Sequence, residues 1–259
     1  MQQRDWFLGR RQAYYPSITP MSTSEQIIAT LRQIGTPEKA AHLSKFFKTG
    51  KGEYGEGDCF LGIPVPETRR VAKAHVDTSF EDLHILLESP WHEVRLCALL
   101  ILVERFKRKK TSEVEREEIY HFYLKHTKRC NNWDLVDLSC PTIVGGYLLN
   151  HTDRSTLYRL AEGPLLWEQR IAMVSTYTFI YNRQFDDAIR LAKHFMTHQH
   201  DLMHKAVGWM LREIGKRERP VLSAFLEEYA SRLPRTALRY AIEHYPEEMR
   251  KRYLKMGKE

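Results

Sequence analysis

The chain has 259 residues, 42% hydrophobic and 28% charged, a globular balance that excludes intrinsic disorder and needs no disulfide or metal staple to build a core. Its longest apolar run, Cys97–Val103, is far short of a membrane span, and the mean hydropathy of −0.51 agrees in excluding a transmembrane protein. Forty Lys+Arg against 33 Asp+Glu leave a formal charge of +7, which suits a polyanionic partner but is also met on unspecialised basic surfaces.

Residues 1–20 lack the continuous apolar stretch of a signal peptide and read as an extension ahead of the fold, though their aromatics are able to dock on it. Ser22 and Glu25 have capping-box spacing before Ile27, Ile28 and Leu31, so residues 21–259 are expected to form a single domain. The first helices are predicted at about 22–34 and 37–48, the second opened by Pro37. TGKGEYGEGD, residues 49–58, holds four of the 13 glycines and reads as a mobile surface loop. FLGIPVPETRR then leads into a helix starting near Pro66. Further helices are predicted at roughly 79–88, 90–107, 112–128, 131–150, 153–162, 164–182, 184–198, 200–215, 217–232 and 234–244. No alternating run makes a convincing strand. The chain is predicted to be all-α.

Trp91, Trp133, Arg170 and Trp209 stand near helix starts at separations of 42, 37 and 39 residues. PWHEVRLCALL also resembles LLWEQRIAMVS, with Arg95 and Arg170 matched. A period near 40 with two helices per unit predicts HEAT-like repeats stacked as an α-α superhelix with a concave basic groove.

Four scattered cysteines, Cys59, Cys97, Cys130 and Cys140, form no CxxC pair and predict a reducing, cytoplasmic setting. His194 and His198, like His200 and His204, are spaced i, i+4, but HExxH is missing and Asp201 is the only adjacent carboxylate. No metal or cofactor is predicted. Gly50-Lys51 is followed by Gly52, which breaks the P-loop pattern, and neither GxGxxG nor GxSxG occurs.

The informative segment is Asn131–Asp137, NNWDLVD. Trp133 and Asp137 share a helical face, while Asp134 points away from Trp133. The bland alternative makes Asp134 and Asp137 first-turn acids that complement the helix dipole. Trp167 and Arg170, like Trp209 and Arg212, are spaced i, i+3 on later repeats and would line the same groove. Alternatively these tryptophans are core and the arginines cap helix surfaces.

NNWDLVD, WEQRIA, KAVGWMLRE and the upstream FLGIPVPETRR together resemble the AlkD-like DNA alkylation repair family of HEAT-like DNA glycosylases, over roughly residues 25–245. The resemblance implies an active-site cleft built from Trp133, Asp137, Arg170 and Trp209, with Arg170, Arg212 and Lys205 as DNA-binding residues. Phe46 and Pro64 stand where family members place polar or aromatic DNA contacts. The implied reaction is hydrolysis of the N-glycosidic bond of a cationic N3- or N7-alkylated purine in duplex DNA. Such a base is already a good leaving group, so a carboxylate, assigned to Asp137, stabilises the oxocarbenium-like sugar and orients one water. Trp133 and Trp209 would flank the lesion nucleotide. No lysine stands beside Asp137, so no Schiff base and no strand cleavage are expected. The implied partner is alkylated duplex DNA, bound by a monomer without an obligate protein partner. A non-catalytic module for DNA of altered shape, and a protein-binding scaffold, remain as alternatives. Neither needs Asp137.

Overall fold

The computed structural model describes residues 21–256; the expected extension at residues 1–20 lies outside the described residues. α1 (Thr23–Ile34) starts with the expected capping box: Glu25 N–H donates to Ser22 Oγ, and Ser22 N–H donates to the Glu25 carboxylate at 2.8 Å. α2 (Pro37–Phe46) starts at its proline, with Thr36 Oγ1 accepting from the Lys39 N–H. α3 (Val65–Ala74), α4 (Phe80–Leu87), α5 (His92–Lys107) and α6 (Glu113–Lys125) follow. Every residue of α5 from His92 to Val103 is buried. A helix apolar nearly all round belongs at the centre of a core, and α1, α3, α4 and α6 pack around this one.

α7 (Trp133–Asp137) and α8 (Gly146–Leu148) come next, then α9 (Ser155–Glu162), α10 (Leu166–Tyr181), α11 (Asp186–His194) and α12 (Asp201–Arg217). α13 (Arg219–Tyr229), α14 (Arg235–Ala241) and α15 (Glu247–Met256) complete the described residues. α10, α12 and α14 pack side by side in chain order, while α9, α11 and α13 back them. The result is an all-α helical-repeat fold. Beyond an isolated bridge between Cys59 and Trp91, the described residues form no strand, and none of their helices is long and apolar enough to cross a membrane.

Three expectations need correction. The helix expected over 131–150 is broken: α7 stops after Asp137, and a wide π turn over Pro141–Gly145 precedes α8. Pro141 has no N–H to offer the Asp137 carbonyl four residues back, and its ring would clash with that carbonyl. Second, α15 was not anticipated, because Glu247–Met256 carries few apolar residues and buries only Tyr253 fully. Third, the 49–58 loop, largely exposed as expected, is tied to the fold at two points. Gly55 lies so close to the chain that a Cβ there would fall 2.4 Å from the Phe47 carbonyl, and Asp58 at the loop's end is buried.

Candidate active site

Trp133 and Asp137 sit at the two ends of α7, on the same side, as their spacing requires. Both line a cavity of about 360 Å³ between α2, α3, α5 and α7. Its walls are apolar: Leu43, Phe46, Ile63, Val65, Leu96 and Leu138 contribute, with Pro64 at the edge. One wall is an aromatic stack in which Trp133 lies on Phe47 (5.2 Å between centroids), Phe47 on Phe60 (5.0 Å), and Phe60 on the imidazole of His92 (4.4 Å). Phe46 closes edge-on against Trp133 yet remains 56% exposed at the rim. Phe46 and Pro64, marked in the sequence as departures, therefore both reach this cavity.

Arg170, from α10, grips Asp137 with two parallel bonds, Nε to Oδ1 at 2.9 Å and Nη2 to Oδ2 at 2.8 Å, while Nη1 donates to the Leu202 carbonyl. Burial pushes the Asp137 carboxyl above its ordinary range, and the Arg170 charge and hydrogen bonds oppose that rise. Arg170 is itself buried with each guanidinium nitrogen engaged, so it orients the carboxylate and is not disposed to hold a phosphate, as had been expected of it. Asp137 keeps 15% of its side chain exposed, facing the cavity.

A second cluster lies beneath α7. His92 Nδ1 bonds Asp58 and His92 Nε2 bonds Asp134, each at 2.8 Å; Arg95 Nη2 bonds Asp58 at 2.6 Å and Asn131 at 3.0 Å. Burial pulls the His92 pKa down, but the two carboxylates outweigh it and raise the value to about 9, so the ring is an imidazolium at neutral pH. Burial likewise pushes Asp58 up, yet its bonds and charge contacts with His92 and Arg95 bring it below the usual carboxylate value. Asp134 was expected to point away from Trp133; it bonds this cluster through His92 and also borders the cavity that Trp133 walls. Glu93 adds a third support: its carboxylate accepts the backbone N–H groups of Leu61, Gly62 and Ile63 at 2.9, 2.8 and 3.1 Å. That nest shapes the wall carrying Ile63 to Val65, and Gly62 makes it possible with φ +86°.

None of Asp58, His92 and Glu93 was singled out from the sequence. PWHEVR contains two of them next to Trp91, and a polar His-Glu pair opening an otherwise apolar helix is the signal that pointed there.

The remaining predicted residues lie on α12. Trp209 is half-buried with its ring 5.8 Å from Tyr177, and it does not line the cavity. Lys205 forms an ion pair with Asp201 at 2.8 Å, and Arg212 pairs with Glu243. The structure thus brings Trp133, Asp137 and Arg170 together and leaves Trp209, Lys205 and Arg212 further along the repeat row. Tyr54, from the glycine-rich loop, sets its ring edge-on against Trp167 at 6.1 Å. The histidines at 194–204 bond within the protein, His198 Nε2 to Gln169 at 2.9 Å and His200 Nδ1 to the Leu202 N–H at 3.1 Å. Among the described residues no group of three or more His, Cys, Asp or Glu is arranged to hold a metal.

With this geometry in place, the sequence profile of the family described as "DNA alkylation repair enzyme" matches residues 27–245. The chain belongs to that family. A solved structure described as a predicted DNA alkylation repair enzyme from Enterococcus faecalis superimposes with a TM-score of 0.62, at 19% identity, over 82% of this chain and 97% of that one. At that identity the likeness concerns the fold. A search of curated proteins gives no match to the sequence. Family membership makes DNA repair the role of this chain and DNA its substrate.

Proposed function

We propose that the chain is a monofunctional DNA glycosylase that hydrolyses the N-glycosidic bond of cationic N3- and N7-alkylated purines in duplex DNA. The observation that carries this reading is the Asp137 carboxylate, gripped bidentately by Arg170 and still open to a cavity walled by Trp133. As the bond from C1′ to the purine nitrogen breaks, its electron pair cancels the charge on the base, which leaves neutral. Positive charge grows on the sugar, and a fixed carboxylate in a dry, apolar setting stabilises it strongly. Water then bonds C1′ and gives up a proton, with Asp137 oriented to receive it. Trp133 offers its electron-rich face to the cation. Arg170 acts through Asp137 as a positioning residue.

Lys205 and Arg212 are the cations proposed to meet phosphate. At Lys205, exchanging the exposed Asp201 for a phosphate costs little, because surface ion pairs are worth only about 0–1 kcal/mol in water; Arg212 is more buried, but its partner Glu243 is exposed. The proposal extends to a single HEAT-like domain over residues 21–259, acting as a monomer on a concave groove, with Trp209 flanking the lesion nucleotide.

The test is release of N3- or N7-methylpurine from methylated duplex DNA, comparing the wild-type chain with Asp137→Asn. Release lost by a factor of roughly 100 or more, with duplex binding retained, supports the assignment. Duplex binding without release by the wild type would make the cleft a recognition surface for altered DNA.

A further inference from the structure

The cavity beside Asp137 has a composition that catalysis alone does not require. A carboxylate facing a methylated purine would work from an open surface, yet here it adjoins about 360 Å³ of space walled by Leu43, Ile63, Val65, Leu96, Leu138 and the aromatic stack. A closed cavity of roughly 150 Å³ suffices to hold benzene. Apart from the open edge of Asp137, the walls offer almost nothing to hydrogen-bond, and the Asp134 oxygens are taken by His92 and the Leu135 N–H. Glu93 has both oxygens occupied by backbone N–H groups, and both His92 nitrogens are bonded to carboxylates. A purine ring turned fully into this space could meet Asp137 with one N–H but would leave the rest of its polar edge unpartnered, at a cost of about 1–3 kcal/mol per group. A hydrocarbon substituent would not.

Charge points the same way. Glu93, Asp134, Asp137 and His92 line the cavity, and Asp58, Arg95 and Arg170 bond behind them, so the linked cluster sets four carboxylates against three cations. The excess is one negative charge, on the side where Asp137 is open. An occupant that is apolar at its tip and singly positive at its base matches both features. Phe46, exposed at the rim and in contact with Trp133, is placed to close over such a group.

We infer that this cavity is a subsite for the N-substituent of the lesion, favouring aryl or branched alkyl groups over methyl on a cationic purine. The inference rests on the glycosylase reading for its substrate, and its test separates the two. The probes are duplex DNA treated with a methylating or a benzylating agent, scored for released base against spontaneous loss, and two free cations, 7,9-dimethylguaninium and 7-benzyl-9-methylguaninium, titrated by tryptophan fluorescence. Two variants narrow the cavity from different helices: Val65→Phe on α3 and Leu43→Trp on α2, both at half-buried positions, each checked for native helical content.

The wild-type chain should bind the benzyl cation about tenfold or more tightly than the methyl cation, the preference expected for burying one phenyl group. The benzyl-to-methyl ratio, in binding and in release, should fall at least fivefold in whichever variant folds. Equal binding of the two cations, or a ratio unmoved by both variants, overturns the subsite while leaving methylpurine release intact. Selective benzyl binding without release of either base would instead sustain the subsite and remove the glycosylase reading.

Discussion

Two buried arginine–carboxylate pairs, built on the matched arginines of α5 and α10, do opposite things. Arg95 with Asp58 and Arg170 with Asp137 both set a guanidinium against a carboxylate inside the fold. Asp58 also receives His92, is 1% exposed at its side chain, and is held below the ordinary carboxylate range. Asp137 receives Arg170 alone, keeps an edge on the cavity, and is pushed up. The number of partners decides the outcome: two cations satisfy the first carboxylate and make it structural, while one cation orients the second and leaves it poised against an apolar space.

The comparison can be broken most forcefully at Asp58. Asp58→Asn leaves Arg95 and the imidazolium short of a charge, and removing one partner of a buried pair costs about 3–5 kcal/mol, readable as a lowered urea midpoint. A loss under roughly 1 kcal/mol would show that Asp58 is not structural. Arg170→Lys should act on the other pair, through rate more than stability. A lysine cannot form the fork, so base release should fall by about 10- to 100-fold. Its acid limb should also move to higher pH: ionised Asp137 is the active form, it is lost as pH falls through a value above the ordinary one, and weakening the opposing cation lifts that value further. An unchanged limb would detach Arg170 from Asp137.

His92 gives a smaller, pH-dependent effect of defined sign. Its folded value of about 9 lies above the unfolded 6.5, so its contribution to stability is complete below 6.5 and is lost as pH rises through about 9. The urea midpoint of the wild type should decline across that window more steeply than that of His92→Gln; parallel curves would place no proton on the ring. The smallest effect is expected on α12. Lys205→Ala and Arg212→Ala should each reduce the slope of log affinity against log salt by about 1 or less, measured on undamaged duplex. Identical slopes would move the DNA path off this helix.

The sequence carried most of the helical framework, because long helices such as α5, α10 and α12 declare themselves by length and apolar content between loop signals. It also carried the shared face of Trp133 and Asp137, since four residues on a helix is a local distance. What it could not carry was who meets whom across repeats. Asp58 reaches His92 over 34 residues, His92 reaches Asp134 over 42, and Arg170 reaches Asp137 over 33, distances that only stacking closes. Arg170 looked like a phosphate ligand because nothing local accounts for its burial. The break after α7 was legible in principle, as Pro141 stands where its missing N–H falls on Asp137; the apolar run around it masked the signal.

The bridge from Asp58 through His92 to Asp134 crosses three stretches of chain that a repeat array would otherwise let open one at a time. The glycine-rich loop, the start of α5 and the α7 turn are thereby expected to exchange their amide hydrogens as one cooperative unit, opening together or not at all. A protein built from separable repeats has in this way made the ground under the Asp137 carboxylate inseparable.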